Sequence, residues 1–261
     1  MNERAIVVHE SPARTLLVAA VVCVVCSLFV SLSVQWLGGR RAENQRVLRE
    51  ARITEILARQ PALTEMLASL DEIDLRARVV ELGTGEYADE LDPATFDPLR
   101  AEQDPLQSVE LAPERDLAKL GRRALYAVVY EVRRGEQLEL VILPVHGAGY
   151  VTTIRGYLAL ERDCNTVAGL AFYEQSETPG LGGVIDDPDW QARWDGKRLR
   201  DAEGVLRISV GKSSSAASAA DAEHRVDGIS GATRTSNAVS QLVRFWVGED
   251  GFGPYLARLR S

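Results

Sequence analysis

Cysteine and histidine are scarce in this chain, which has three of each among its 261 residues. Cys23 and Cys26 lie in an apolar stretch, and Cys164 lies far away in a turn-like Asp-Cys-Asn segment. A Cys-x-x-Cys pair can hold a metal or form a redox disulfide, but inside an apolar helix the two thiols behave as small hydrophobic side chains. No other Cys, His or carboxylate residues have the spacing of metal ligands. The sequence predicts neither a disulfide framework nor a metal centre.

Positive charge is also limited. Lysine is nearly absent, arginine supplies almost all of the cationic side chains, and the formal net charge is −8 at pH 7. Binding to nucleic acid needs clustered Lys and Arg opposite the phosphates, so no nucleic acid is expected as a partner. With 46% hydrophobic and 26% charged residues, the chain can build one sizeable domain and an appendage.

The appendage is predicted at the N-terminal end, where an uncharged stretch rich in Leu, Val and Ala runs from Thr15 to Val34. Its 20 residues are about the length that a helix needs to cross a bilayer. A cleaved signal peptide is the alternative, but the stretch is long for one and no clear Ala-x-Ala site follows it. We predict a short N-terminus (1–14), a transmembrane helix (15–37), a helical linker (38–73) and a folded domain (74–261).

Arginines on the two sides of this stretch give a weak signal for its orientation. They are Arg4 and Arg14 before it, and Arg40, Arg41, Arg46 and Arg49 after it. The excess after the stretch mildly favours a cytoplasmic location for the folded domain. Large domains cross membranes largely regardless of charge, so this bias does not decide the orientation.

The folded domain is predicted to be α+β, with an antiparallel sheet flanked by helices. Strand-like runs lie at Leu75–Leu82, Ala124–Val132, Leu138–Leu143, Val151–Leu160 and Val167–Tyr173, with a further short strand at Val205–Val210. Helical patterns lie at Ala42–Gln60, Asp187–Trp194 and Ser236–Val247. Three Asp-Pro pairs between Tyr87 and Pro113 predict turns and loop, and Ser213–Ala220 is a loop rich in Ser and Ala.

A run of small and polar residues, Asp-Gly-Ile-Ser-Gly-Ala-Thr, ends at Thr233. An amphipathic helix is predicted to begin just after it, so backbone N–H groups and the positive end of the helix dipole favour an anion such as phosphate at this point. The alternative is that Ser230, Thr233 or Ser236 simply caps the helix. The lone nearby histidine, His224, gives Thr233 no complete catalytic triad.

This motif resembles the Asp-x-x-Ser-Gly-Ala-Thr pattern on which flavin transferases attach FMN through a phosphodiester bond to the last threonine. The chain as a whole is similar to the C subunit of the Na+-translocating NADH:quinone reductase. The matching segments are PVHG at 144–147, YLALE at 157–161, ETPGLGG at 177–183, WDGK at 194–197 and GFGPY at 251–255. They follow the order of the family over nearly the whole length.

The resemblance implies that FMN is bound covalently to Thr233 and that a separate flavin transferase attaches it. It implies two further partners, the other subunits of the reductase and the lipid bilayer. It also implies that the folded domain lies on the periplasmic side of a bacterial inner membrane, with residues 1–14 in the cytoplasm.

Two segments are expected to surround the flavin. One is the glycine loop, Glu177–Gly183, where Leu181 would contact the isoalloxazine face and Thr178 would hydrogen-bond its polar edge. Gly180, Gly182 and Gly183 leave room for the ring; an ordinary surface turn is the alternative. The other is the acceptor loop (residues 227–233), in which Ser230, Gly231 and Ala232 precede the threonine. Asp227 would shape this loop through an Asx-type turn or engage the transferase.

Two other features have plainer interpretations. His146 ends a strand, where it would contact the flavin or a partner, or close a turn as a structural residue. Trp190 and Trp194 are four residues apart, which predicts that they pack on one helix face.

The resemblance implies a membrane-anchored electron carrier, which is an enzyme only as a subunit of the reductase. The chain has no glycine-rich dinucleotide fingerprint, so NADH oxidation is expected on a partner. One predicted span leaves the sodium path to other subunits. The related G subunit of the Rnf electron-transport complex is the nearest alternative, and an anchored scaffold without redox activity is another.

Overall fold

The computed structural model describes residues 16–27, 73–211 and 219–260. The chain divides into two units, Met1–Thr54 and Glu55–Ser261. In the first unit residues 16–27 form helix α1, whose Leu and Val side chains are exposed. None of the helices in these described ranges has both the length and the apolar character needed to cross a membrane. Most of the predicted linker 38–73, the predicted helix Ala42–Gln60 and the rest of the predicted span lie outside the described residues.

The second unit is built on a five-stranded antiparallel sheet with the order β1-β4-β5-β6-β7. Its strands are β1 (Ile73–Glu81), β4 (Tyr126–Arg134), β5 (Gln137–Ala148), β6 (Thr153–Glu161) and β7 (Val167–Glu174). Consecutive strands β4 to β7 are neighbours because short turns join them, such as the β4–β5 turn at Gly135, which has φ +59°. The predicted α+β class and these five strands are confirmed.

One face of the sheet forms the main core, and the fold places helix α5 (Thr233–Trp246) against it. Alternate residues of β5, Val141, Leu143 and Val145, point to this face and are fully buried. Helix α5 contributes Val239, Leu242, Val243 and Trp246, whose i, i+3, i+4 spacing puts them on one side. The amphipathic pattern predicted for this helix is confirmed.

Shorter elements complete the unit. They are α2 (Pro98–Gln103), β2 (Ser108–Glu110), β3 (Arg122–Ala124), α3 (Pro188–Gln191), β8 (Ser209–Gly211), α4 (Ala219–Glu223), β9 (Arg225–Asp227) and α6 (Gly253–Arg260), with 3₁₀ turns at Gly182–Asp186 and Ala192–Trp194. Strands β2 and β3 pair antiparallel, and β8 and β9 pair in parallel. The helical pattern predicted at Asp187–Trp194 is confirmed as α3 with the following 3₁₀ turn.

Two predictions of local structure are wrong in part. The sequence predicts turns and loop for Tyr87–Pro113, but this segment contains α2 and β2. Asp97 caps α2 by accepting hydrogen bonds from the N–H groups of Leu99 and Arg100, and Pro98 fits the first helical position, where no N–H is needed. The strand expected at Val205–Val210 is reduced to β8, which pairs with β9 rather than with the main sheet. Most of the predicted Ser213–Ala220 loop lies outside the described residues.

Candidate functional site

Thr233 is the first residue of α5, so the acceptor loop leads directly into the helix. Gly231 has φ +79°, a left-handed conformation that glycine adopts without strain and that turns the chain into the helix. Ala232 occupies the N-cap position, and among the described residues no side chain caps the helix there. The alternative that a hydroxyl of Ser230, Thr233 or Ser236 caps the helix is therefore wrong. The helix also begins three residues before the predicted Ser236.

The hydroxyl groups near this helix start differ in their exposure. Thr233 and Ser230 are exposed, whereas Thr235 and Ser236 are only 2% and 3% exposed. The Thr235 hydroxyl donates to Glu177 Oε2 at 2.6 Å, and Ser236 Oγ accepts from the Ile229 N–H at 2.9 Å. The two buried hydroxyls are thus committed to internal hydrogen bonds, while Thr233 and Ser230 present theirs to the outside.

The glycine loop packs against the acceptor loop. Its backbone turns tightly because the Thr178 carbonyl accepts from the N–H groups of both Leu181 and Gly183 at 3.0 Å, with Gly180 at φ +74°. Leu181 is 44% exposed, and a Cβ atom on Gly231 would lie 3.2 Å from its Cδ2. Thr178 is exposed on the same loop. The structure thus brings together two motifs that lie about fifty residues apart in the sequence.

Glu177 joins these loops from inside. Its side chain is buried, with the residue 3% exposed, and its two carboxylate oxygens contact different segments. Oε1 accepts from the N–H of Val151 at 2.9 Å, and Oε2 accepts from Thr235. Gly182 lies directly beside this contact, since a Cβ there would come within 2.8 Å of Oε2. The glycine at this position allows the loop to approach the buried carboxylate.

Asp227 is the last residue of β9, and its place in the acceptor loop is held by its backbone. Its carbonyl oxygen accepts from the indole Nε1 of Trp190 at 3.0 Å. Its own side chain is exposed, and within residues 73–211 and 219–260 no backbone N–H donates to the carboxylate. Trp190 packs edge to face on Trp194 at 6.1 Å between ring centres, and both are buried. The predicted packing of the two tryptophans is confirmed.

The sequence pattern indicates no role for Arg234, which directly follows Thr233, or for Tyr150, which contacts Arg234. The guanidinium of Arg234 stacks over the ring of Tyr150, 5.1 Å from its centre. Both side chains are exposed, as is Val151. In the described part of the chain, no carboxylate lies within ion-pair distance of Arg234. The sequence could have indicated a role for Arg234 by its position directly after the acceptor threonine. Nothing in the local sequence indicates that its guanidinium would stack on Tyr150.

His146 lies partly buried between two elements. Its Nε2 is 3.2 Å from Glu102 Oε1 on α2, and its ring packs on Trp246 with 4.8 Å between the ring centres. Its carbonyl accepts from Trp246 Nε1 at 2.6 Å. These contacts match the structural role that is one of the alternatives for this histidine.

The arrangement suits a phosphate ester of a flat aromatic group. An exposed hydroxyl stands at a helix N-terminus, where unpaired N–H groups and the helix dipole favour an anion. Arg234 adds a positive charge that no described carboxylate neutralises. Leu181 offers an exposed apolar side chain that packs against Gly231, two residues before Thr233. The residues present therefore fit the flavin nucleotide that the sequence motif implies.

Comparison with known protein families relates this region to FMN binding. Residues 149–248 match the family model of the FMN-binding domain. This range includes the glycine loop, the acceptor loop, Tyr150 and Arg234. The fold and the site define an FMN-binding protein.

Relatives extend the similarity to the whole chain. The chain is 44% identical over 255 residues to the C subunit of the Na(+)-translocating NADH-quinone reductase of Pseudomonas aeruginosa, covering 97% of this chain and 98% of the relative. It is 39% identical to the C subunit of the Vibrio vulnificus reductase, covering 97% of each. The chain belongs to the family of C subunits of the Na(+)-translocating NADH-quinone reductases.

Solved structures agree in fold. The crystal structure of Shewanella oneidensis NqrC is 32% identical, with a TM-score of 0.64, and covers 76% of this chain and 88% of that one. The C subunit of the Parabacteroides distasonis reductase has a TM-score of 0.55 at 23% identity, covering 81% of this chain and 96% of that one, and it shows the fold alone.

Proposed function

We propose that this protein carries electrons through an FMN attached to Thr233 by a phosphodiester bond, as the C subunit of a Na+-translocating NADH:quinone reductase. One observation carries the proposal. Thr233 is exposed at the start of α5, two residues after Gly231, which packs against the exposed Leu181; Thr235 and Ser236 are buried with their hydroxyls engaged. Family membership supports the same assignment.

Attachment of FMN requires a second protein and an activated donor. A threonine hydroxyl is a weak nucleophile unaided, and the described part of the chain places no complete triad at Thr233. A flavin transferase would accept the hydroxyl proton while Thr233 Oγ1 attacks the flavin-side phosphorus of a flavin dinucleotide. The bond between that phosphorus and the pyrophosphate oxygen breaks, and AMP leaves. The exposed, glycine-containing acceptor loop suits entry into the active site of another enzyme.

The residues of this chain would hold the bound flavin in distinct ways. Leu181 would cover part of the ring, and Thr178 with the neighbouring N–H groups would bind its polar edge. Gly231 and Ala232 would leave space beneath it, while Arg234 and the first turn of α5 would face the phosphate. When bound, FMN supplies the ability to accept and release electrons, and the protein tunes it. A covalent bond keeps the cofactor in place in every redox state.

The same proposal includes the membrane anchor. Residues 15–37 would cross the inner membrane, residues 38–73 would form a linker, and the domain 74–261 would lie in the periplasm with residues 1–14 in the cytoplasm. The length and apolarity of the N-terminal stretch support an anchor. The other reductase subunits would supply NADH oxidation and the sodium path. The names of the relatives favour this complex over the Rnf alternative.

Covalent flavin can be detected directly. The full chain, co-expressed with a flavin transferase, should give a fluorescent band after SDS gel electrophoresis and gain the mass of one FMN minus one water. Thr233→Ala should abolish the band. The matched control is Thr95→Ala, which removes an exposed threonine hydroxyl outside the acceptor loop and should keep the band. A wild-type band without fluorescence would refute the redox function, and fluorescence in Thr233→Ala would refute the attachment site.

Orientation needs a separate experiment. A reporter that is active only in the periplasm, fused after Ser261, should be active in cells. A silent periplasmic reporter together with an active cytoplasmic one would place the domain on the other side of the membrane.

A further inference from the structure

Glu177 occupies a central position among three segments that carry the candidate site. Its carboxylate contacts the loop after β5 through the Val151 N–H and the first turn of α5 through the Thr235 hydroxyl, and it belongs to the glycine loop itself. Two glycines crowd against it: a Cβ on Gly149 would clash with Oε1 at 2.5 Å, and one on Gly182 would clash with Oε2 at 2.8 Å. The three segments meet on one buried group.

A buried carboxylate is costly unless hydrogen-bond donors surround it. Here each oxygen has a donor from a different segment, so separating any two segments would leave an oxygen unpaired in the interior. Hydrogen bonds to a charged group are also stronger than neutral ones. The pair of contacts therefore resists relative motion of the glycine loop and α5.

The position of Thr235 gives this contact a consequence for the site. Thr235 lies two residues after Thr233 in the same helical turn, and Glu177 lies four residues before Leu181 in the same tight loop. A fixed Glu177–Thr235 contact thus fixes the hydroxyl of Thr233 relative to the side chain of Leu181. It also withdraws the second threonine from solvent.

We propose that Glu177 is a positioning residue, which acts through Thr235 to hold the acceptor threonine against the glycine loop. The expected effect of Glu177 on flavin attachment rests on the proposed function, whereas the contacts of its carboxylate do not depend on it. Glu177 does not touch the flavin in this role. Its hydrogen bonds set the separation between the attachment point and the apolar side chain that covers the ring.

The test removes the Thr235 hydroxyl with little change of shape. Thr235→Val replaces the hydroxyl by a methyl group, and Thr235→Ser keeps it. The matched control is Thr166→Val, which removes another threonine-to-carboxylate hydrogen bond, 2.7 Å long to Asp163, in a turn outside the site. All variants are made in the full chain.

Two measurements are needed. Hydrogen exchange of the peptide that contains the Val151 amide reports whether the segments are still joined. Two quantities report the position of Thr233 against the glycine loop. They are the rate of covalent loading by purified flavin transferase and flavin dinucleotide, and the fluorescence anisotropy of the attached flavin. For Thr235→Val we expect about tenfold faster hydrogen exchange at Val151 and about tenfold slower covalent loading. The fluorescence anisotropy of the attached flavin should be lower. Thr235→Ser should restore all three, and Thr166→Val should change none.

The outcomes separate the two proposals. Unchanged exchange at Val151 in Thr235→Val would overturn the inference, and so would faster exchange with unchanged loading and anisotropy, because Glu177 would then be merely structural. If the wild-type protein carries no covalent flavin, the proposed function fails on that result alone. A comparison of hydrogen exchange at Val151 between wild type and Thr235→Val, both without flavin, would then still decide whether Glu177 joins the segments.

Discussion

The side chain of Leu181 lies directly against the backbone of Gly231, so that only 3.2 Å would separate its Cδ2 from a Cβ at that position. This contact is where the glycine loop meets the acceptor loop. It explains why the position two residues before the acceptor threonine is a glycine. A side chain there would push on the residue that we propose covers the flavin.

Replacing Gly231 by alanine should therefore affect both stability and the site. At φ +79°, alanine is strained by roughly 1–2 kcal/mol, and the new methyl group displaces Leu181 by a few tenths of an ångström. We expect a loss of unfolding free energy of about 1–2 kcal/mol in urea titrations and slower covalent loading with FMN.

Gly204→Ala provides the matched control. Gly204 has φ +80°, but its Cβ would have open space around it. The backbone strain and the loss of stability should be similar, while loading with FMN should stay at the wild-type rate. Equal loading of the two variants would show that the Leu181–Gly231 contact has no part in the site.

A second network fixes the C-terminal helix α6 to the sheet. The hydroxyl of Tyr255 donates to Glu131 Oε1 at 2.7 Å, Tyr87 donates to the same oxygen at 2.5 Å, and Arg133 Nε donates to Oε2 at 2.7 Å. Glu131 and Tyr255 are each 1% exposed. Tyr255→Phe should lower the free energy of unfolding by about 1.5–3 kcal/mol, since it removes a buried donor to a charged group. Tyr87→Phe should cost less in the same urea titration, because Tyr87 is 37% exposed and water can replace its hydroxyl.

The same network predicts how stability depends on pH. Burial acts to raise the pKa of Glu131, but the hydrogen bonds from Tyr87, Tyr255 and Arg133 outweigh it and hold the pKa below its usual value. Glu131 therefore stabilises the fold fully above its unfolded pKa, and this contribution is lost as the pH falls through the lower folded pKa. The difference in unfolding free energy between wild type and Glu131→Gln should be largest at pH 7 and shrink below about pH 4. A difference that grows on acidification would contradict the ionised, hydrogen-bonded state.

The sheet was predictable because antiparallel strands with one buried face leave a clear pattern of apolar residues between turn residues. The short helix α2 was missed since Asp97-Pro98 is equally typical of a turn and of a helix start. What decides between them is tertiary: Ala101 is 2% exposed against the rest of the unit. That burial cannot be read from the local sequence.

The site was predictable only in its parts. The motif ending at Thr233 and the glycine loop each carry local signals, but their contact depends on how α5 packs on the sheet. The inward direction of Glu177 and the burial of Thr235 have no local signature, because a Glu before Thr-Pro-Gly is usually exposed. The stacking of Arg234 on Tyr150 likewise joins residues 84 positions apart.

Cys164 should report global unfolding. Burial raises the pKa of its thiol to about 11, so at pH 8 the folded protein holds about a hundredfold less thiolate there than an unperturbed cysteine. In a Cys23→Ser, Cys26→Ser variant, iodoacetamide should label Cys164 slowly in buffer and rapidly in urea above the unfolding midpoint. Mass spectrometry measures the labelled fraction. Rapid labelling in buffer would show that this turn opens without global unfolding.

Arg234 gives a prediction that depends on electrostatics. Its guanidinium stacks on Tyr150 and has no ion-pair carboxylate among the described residues, so its charge remains available to a phosphate at Thr233. Arg234→Gln should slow covalent loading by the flavin transferase several-fold at low salt, and the difference from wild type should shrink at high ionic strength, because exposed charges are screened.

Arg234→Lys should keep part of the loading rate through its charge, and Tyr150→Leu should slow loading by releasing the guanidinium from its fixed place. An effect of Arg234→Gln that is independent of salt would point to packing instead of charge.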